Sequence, residues 1–130
     1  MAGTWPTTTP SIVESYSQFR TLTYTWTGDA VTGAVPDMDI EGEELNFIKG
    51  WYLYQVSTAP GDTAPAASYD ITIETPGGFD VARGLLADRS ATAEEVANPQ
   101  AWPIDGQLTI KIANQSEAGG QGIIKLWVAK

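Results

Sequence analysis

Leu108-Thr109-Ile110-Lys111-Ile112, the loop Asn114-Gln115-Ser116-Glu117-Ala118-Gly119-Gly120-Gln121-Gly122, and Ile123-Ile124-Lys125-Leu126-Trp127-Val128 together form the stretch on which the fold turns. Leu108, Ile110 and Ile112 alternate with Thr109 and Lys111, and Ile124, Leu126 and Val128 alternate with Ile123, Lys125 and Trp127. A period of two sends successive side chains to opposite faces of an extended chain, so each run reads as a strand with one face turned to a core. Two in-phase strands joined by a polar, glycine-rich loop read as a β-hairpin. Ile124, Leu126 and Val128 are expected in the core. Ile123 and Trp127 then fall on the opposite face, which needs cover of its own.

The same signal recurs toward the N-terminus. In Thr21-Leu22-Thr23-Tyr24-Thr25-Trp26-Thr27 the apolar Leu22, Tyr24 and Trp26 share one face, threonines take the other, and Gly28-Asp29 ends the run. Asn46 to Val56 reads as a strand region with Trp51 and Leu53 pointing one way and Tyr52, Tyr54 and Val56 the other, with Gly50 as a candidate bulge. Ser57-Thr58-Ala59-Pro60-Gly61-Asp62 has turn chemistry. Tyr69, Ile71 and Ile73 alternate with Asp70, Thr72 and Glu74 before the turn Pro76-Gly77-Gly78. Between Gly84 and Asn98, Thr92-Ala93-Glu94-Glu95 resembles a capping box and predicts a short helix that Asn98-Pro99 would stop. Short strands with frequent turns predict an all-β fold, an antiparallel β-sandwich or jelly-roll-like barrel with at most one short helix. No repeat or linker divides it. The expected organisation is an extended N-terminal arm over residues 1–16 and one β-sandwich domain over residues 17–130. Pro6 and Pro10 keep the arm extended. Trp5 inside it reads either as a stray aromatic on a frayed end or as a ring pinned into a neighbouring subunit.

The composition narrows the chemistry. The 130 residues hold 16 acids against seven Lys and Arg, a net charge of −9, which repels nucleic acid and anionic membrane at long range. No apolar run reaches the length of a membrane span, and the first residues lack the basic and apolar regions of a secretory signal. Cysteine and histidine are both absent. Disulfides, thiolate metal sites, cysteine nucleophiles, Ser-His-Asp triads and imidazole bases are thereby excluded. No catalytic residue, cofactor site or firm metal site is expected. Asp37, Asp39 and Glu41 with Gly42 fall at positions 1, 3, 5 and 6 of a calcium-binding loop, but Ile48 stands where the bidentate acid belongs, which leaves a weak calcium candidate. Glu94 and Glu95 are adjacent and should diverge, unlike a glycosidase pair. The glycine loop before Lys125 lacks the Walker spacing and a following helix. Asn114-Gln115-Ser116 is a formal glycosylation sequon. Trp51 and Trp127 are candidates for a sugar-stacking platform.

Taken in order, several tracts resemble a family of small β-sandwich proteins encoded among the virion structural genes of tailed bacteriophages. The likeness runs from about Arg20 to Val128. It rests on Gly50-Trp51-Tyr52-Leu53-Tyr54-Gln55-Val56, Thr58-Ala59-Pro60-Gly61 with Ala64-Pro65, Tyr69-Asp70-Ile71-Thr72-Ile73, Gly84-Leu85-Leu86-Ala87-Asp88-Arg89-Ser90-Ala91-Thr92, Pro103-Ile104-Asp105-Gly106-Gln107-Leu108-Thr109-Ile110, Asn114 and Gly122-Ile123-Ile124-Lys125-Leu126-Trp127-Val128. The acidic run Asp37 to Glu44 departs from the pattern. The resemblance implies a virion structural protein that is not an enzyme. Of such roles, a capsid decoration or cement protein that forms a homo-oligomer and binds the major capsid protein or other virion subunits fits the residues best. A head–tail connector, a tail component and a carbohydrate-binding module for host attachment are the alternatives. Trp5, Trp51, Arg83, Leu85, Arg89 and Trp127 are the expected protein-interface residues, because they put apolar or bidentate groups on an arm, on loops and on second strand faces.

Overall fold

The computed structural model describes residues 3–5 and 19–130. Eight strands and one helix follow in the order β1 (Phe19–Thr27), β2 (Met38–Ile40), α1 (Gly42–Ile48), β3 (Tyr52–Pro60), β4 (Asp70–Glu74), β5 (Glu95–Ala97), β6 (Trp102–Pro103), β7 (Leu108–Ala113) and β8 (Gln121–Ala129). They build two antiparallel sheets. One has the order β1-β8-β3, with β5 and β6 both pairing along the far side of β3; the other has the order β2-β7-β4. The result is the β-sandwich expected from the alternation.

The core lies between the sheets and is supplied by the expected faces. Leu22, Tyr24 and Trp26 of β1, Ile71 and Ile73 of β4, Leu108 and Ile110 of β7, and Ile124, Leu126 and Val128 of β8 are all buried. Each such aliphatic side chain contributes roughly 1.5–3 kcal/mol of transfer free energy. Trp26 meets Tyr69 edge to face at 5.3 Å. Its indole also fills the space opposite Gly122, where an added Cβ would lie 2.3 Å from the ring.

The structure corrects four expectations. First, β7 and β8 are not a hairpin. β7 pairs with β2 and β4, whereas β8 pairs with β1 and β3, so residues 114–120 carry the chain from one sheet to the other. Alternation fixes which face of a strand is buried but says nothing about its neighbour. Second, the helix is not at Thr92-Glu95. The Ser90 hydroxyl accepts the N–H groups of Thr92 and Ala93, and the Glu95 carboxylate accepts that of Ser90, so the side chains close a turn and Glu95–Ala97 enters the sheet as β5. The helix lies in the acidic run instead. Glu43 and Glu44 occupy its first turn, where carboxylates meet the positive end of the helix dipole, and Ile48 is its buried contact.

Third, the strand expected from Asn46 begins only at Tyr52, and it runs on through Ser57–Pro60, which pair with β8 as Ser57↔Lys125 to Pro60↔Gly122. Fourth, the irregularity in β3 sits between Leu53 and Gln55, not at Gly50. The additional residue shifts the alternation, so Val56 joins Leu53 in the core, not the opposite face.

One end of the sandwich is tied by Gln115. Its Nε2 amide donates to Gly33 O and Glu117 O at 2.9 Å each, and its Oε1 accepts Ala66 N–H at 2.7 Å and Glu117 N–H at 3.3 Å. Those partners sit in the β1–β2, β3–β4 and β7–β8 connections, each of which crosses between the sheets. Gly28 leaves room for the amide, since a Cβ there would lie 2.7 Å from Nε2.

Candidate interaction surface

The two sheets differ on their outer faces. Directly opposed residues in an antiparallel pair share a face, so the register of the five-stranded sheet gives its outer rows. These are Phe19–Ala129–Tyr52–Pro103, Thr21–Trp127–Gln55, Thr23–Lys125–Ser57–Val96 and Thr25–Ile123–Ala59. Tyr54, the added residue of the bulge, meets Phe19 edge to face at 6.1 Å. Phe19, Tyr52, Tyr54 and Trp127 therefore gather at one end of this face. Tyr52 remains 48% exposed, which leaves a large ring in solvent beside a core that is otherwise complete. The indole N–H of Trp127 is buried and has no hydrogen-bond partner among the described residues, while Lys125 Nζ stands 4.4 Å from the ring centre.

A second aromatic group lies at the β6 edge. Phe79, in the β4–β5 connection, stacks on Trp102 of β6 at 5.3 Å and 28°, and the Arg83 guanidinium covers Phe79 at 5.5 Å. Asp80 fixes this loop by accepting the N–H groups of Ile73, Ala82 and Gly84. Arg83 holds a left-handed φ of 56° and Gly84 one of 79°, a turn that pushes Leu85 outward to 47% exposure.

The six sequence-predicted contact residues separate into three groups. Arg83 and Leu85 are exposed on that loop, and Trp127 is half-buried on the outer face. Trp5 packs against its own domain: Thr4 exchanges both backbone bonds with Thr27, and the Trp5 indole donates to Pro36 O at 2.7 Å and meets Tyr24 edge to face. Most of the proposed arm, residues 6–16, lies outside the described residues. Trp51 and Arg89 have their burial accounted for inside the chain. Trp51 is 6% exposed and carries Arg20 over its ring at 4.3 Å; that guanidinium also donates to Phe47 O and faces the Phe47 ring, fixing α1 to β1. Arg89 is 8% exposed, donates to Leu85 O and Ala87 O, and faces Glu95 at 3.9 Å. With Trp51 enclosed, it does not form an exposed stacking platform with Trp127.

Sequence reasoning missed Phe19, Phe79 and Trp102. Phe79 and Trp102 lie outside any alternating run, and only the fold brings them together.

Asp37, Asp39 and Glu41 do not form a cation cage. Asp39 accepts the Thr109 hydroxyl at 2.7 Å and Asp37 faces Lys111 at 3.9 Å; among the described residues no three acids group as metal ligands. A cleft of about 300 Å³ opens between Thr25, Thr27, Asp62, Gln121 and Ile123; among the described residues Asp62 is the one ionisable group that lines it. The large shifts of ionisation fall on buried tyrosines. Burial, reinforced by the negative charge of Glu44, holds the Tyr24 hydroxyl well above the usual tyrosine range. Burial pushes Tyr69 up to about 12, with nearby Arg89 opposing the rise and Glu95 adding to it. Both remain protonated at neutral pH and act as core rings.

No family model matches the chain. No curated protein matches it either. Among solved structures it is similar to a CBM4 protein, at 11% identity over 83% of this chain and 84% of that one, with a TM-score of 0.36. It is also similar to the C-terminal family 22 carbohydrate-binding module of Clostridium thermocellum Xyn10B, at 11% identity over 92% and 90% of the two chains, with a TM-score of 0.38. Overlays this loose say nothing of what the present chain binds.

Proposed function

We propose that this chain is a structural protein of a tailed-bacteriophage virion that decorates the capsid shell, docking onto the major capsid protein as a homo-oligomer and acting by binding, not by catalysis. The observation that carries the docking reading is the exposure of Tyr52, Phe79 and Leu85 beside a core that is already closed. Large apolar side chains held in a fixed arrangement at a surface are what a protein interface uses as anchors. The virion assignment rests on the ordered tracts from Arg20 to Val128 described above. The absence of histidine and cysteine removes the commonest general bases and thiol nucleophiles, and the candidate surface gathers rings and cations, not paired acids.

Co-sedimentation with empty capsid shells tests the proposal. Binding that saturates at a fixed ratio to the major capsid protein, and that falls at least tenfold on Tyr52→Ala with Phe79→Ala, is the expected result. Failure to bind shells at any stage of maturation, with binding to isolated tails or connectors instead, would move the chain to a head–tail or tail position. Binding to neither, with retention on cell-wall glycans, would replace the structural role by carbohydrate attachment.

A further inference from the structure

The crossing from β6 to β7 carries a chemical feature that docking does not use. Asp105-Gly106 is the one place in the chain where an aspartate or asparagine precedes a glycine. The fold makes no demand for glycine there. Gly106 lacks the left-handed φ of Gly33 or Gly84, and a Cβ added to it would meet nothing within 4 Å. The approach to the Gly106 nitrogen is therefore open on that side, with no side chain of its own to shield it. Asp105 is exposed, and among the described residues no hydrogen bond or ion pair holds its carboxyl. Asp39, Asp70 and Asp80, by contrast, each accept hydrogen bonds from other residues that keep their carboxylates in place.

We propose that Asp105 is a site of spontaneous isomerisation to isoaspartate, with water the only co-reactant. The Gly106 backbone nitrogen attacks Asp105 Cγ. A nitrogen–carbon bond forms, and the carboxyl hydroxyl leaves with the amide proton as water, which gives a cyclic imide. Water then opens the imide at either carbonyl. Breaking the bond at Cγ restores aspartate. Breaking the bond at the Asp105 main-chain carbonyl leaves the chain running through Cβ and Cγ, with a free α-carboxylate beside it. The backbone path gains one carbon, about 1.5 Å of contour, while the composition is unchanged. The place decides the consequence. Residues 105–107 link two buried anchors, Ile104 and Leu108. Ile104 donates its N–H to Trp51 O at 2.9 Å, and its carbonyl accepts Gly50 N–H at 2.7 Å, which ties the crossing to the chain just before β3. An added carbon beside that tie displaces the Ile104 carbonyl, so the Gly50–Ile104 bond is the first expected to open. The proposal needs no docking partner and stands apart from the virion reading.

The full-length chain is aged at neutral pH and physiological temperature. Isoaspartate is counted by enzymatic methylation with an isoaspartyl methyltransferase and placed by electron-transfer fragmentation. The expected result is isoaspartate that accumulates at position 105, preceded by a species lighter by one water. Gly106→Ala, whose methyl group the fold has room for, should slow the accumulation at least fivefold, and Asp105→Glu, which would have to close a larger ring, should slow it further. Thermal melts of both variants confirm that the fold is kept. In the isomerised chain, amide exchange at Gly50 should quicken at least fivefold over the unaged protein. A synthetic peptide spanning residues 101–110 is aged in parallel. Isomerisation of the peptide with none at position 105 of the folded chain would overturn the proposal, as would isoaspartate confined to other positions or a rate unchanged by Gly106→Ala. Unchanged exchange at Gly50 in the isomerised chain would overturn the opening of the Ile104 tie.

Discussion

β7 and β8 are the central strands of their sheets, carry the same alternation and bury the same kind of inner face, yet their outer faces are finished differently. On β7, the Thr109 hydroxyl bonds Asp39, and Lys111 stands between Glu74 at 3.3 Å and Asp37 at 3.9 Å. On β8, Ile123 and Trp127 face outward and Lys125 rests on an indole. One face resolves its charges within the chain and suits water. The other carries Lys125, which has no acid partner among the described residues. Two lysines at equivalent places in two strands thus have opposite consequences, and the difference comes from what the neighbouring strands contribute.

The largest effects should show that the two strands are alike inside. Leu126→Ala on β8 and Ile110→Ala on β7 each remove a fully buried side chain, and each should cost about 2–5 kcal/mol in chemical denaturation. A cost below ~1 kcal/mol at either site would break the equivalence of the inner faces. Next comes the loop that keeps the two strands in different sheets. Gln115→Leu retains the bulk of the side chain but strands the Gly33 carbonyl and the Ala66 N–H, so stability should fall by about 2–4 kcal/mol, with faster amide exchange in all three bridged loops. Exchange that quickened only near residue 115 would show that the amide does not couple the loops.

The smallest effect separates the outer faces. The Thr72 hydroxyl, together with Lys111, holds the Glu74 carboxyl below the usual carboxylate range. A carboxyl whose pKa is lowered in the folded state contributes stability above its unfolded pKa, and that contribution is lost as pH falls through the folded one. Lys111→Met should raise the Glu74 midpoint in an NMR titration and narrow this acid-side contribution. Lys125→Met should leave the Glu74 midpoint where it is, and a shift with Lys125→Met would undo the distinction between the faces.

Much of the fold could be read from alternation, because burial on one face is a property of a single strand. Leu22, Tyr24, Trp26, Ile71, Ile73, Ile124, Leu126 and Val128 all point where their spacing says they should. Pairing depends on distant residues, so the regular spacing around the glycine loop suggested a hairpin that the sheets do not make. The helix was hidden because Glu41 at its start makes no side-chain cap, leaving no start signal in the acidic run. The candidate surface was legible in part. Trp127 and Arg83 stand out as apolar or planar groups on second faces and loops. Gln55 turns outward and Val56 inward only because of a bulge that no glycine announces, and Phe79 reaches Trp102 only when β4 and β6 come to the same edge.

Gln115 has a mechanical consequence. Every connection it bridges passes from one layer to the other, so a load that pries the layers apart, as a book is opened from its spine, is borne at that end by this amide together with the backbone bonds from Gly119 N–H to Asp29 O and from Gln121 N–H to Thr63 O. At the opposite end the Arg20 side chain joins β1 to α1 through its contacts with the Phe47 and Trp51 rings and its hydrogen bond to Phe47 O, a fastening within one side of the molecule that does not span the connections between the layers.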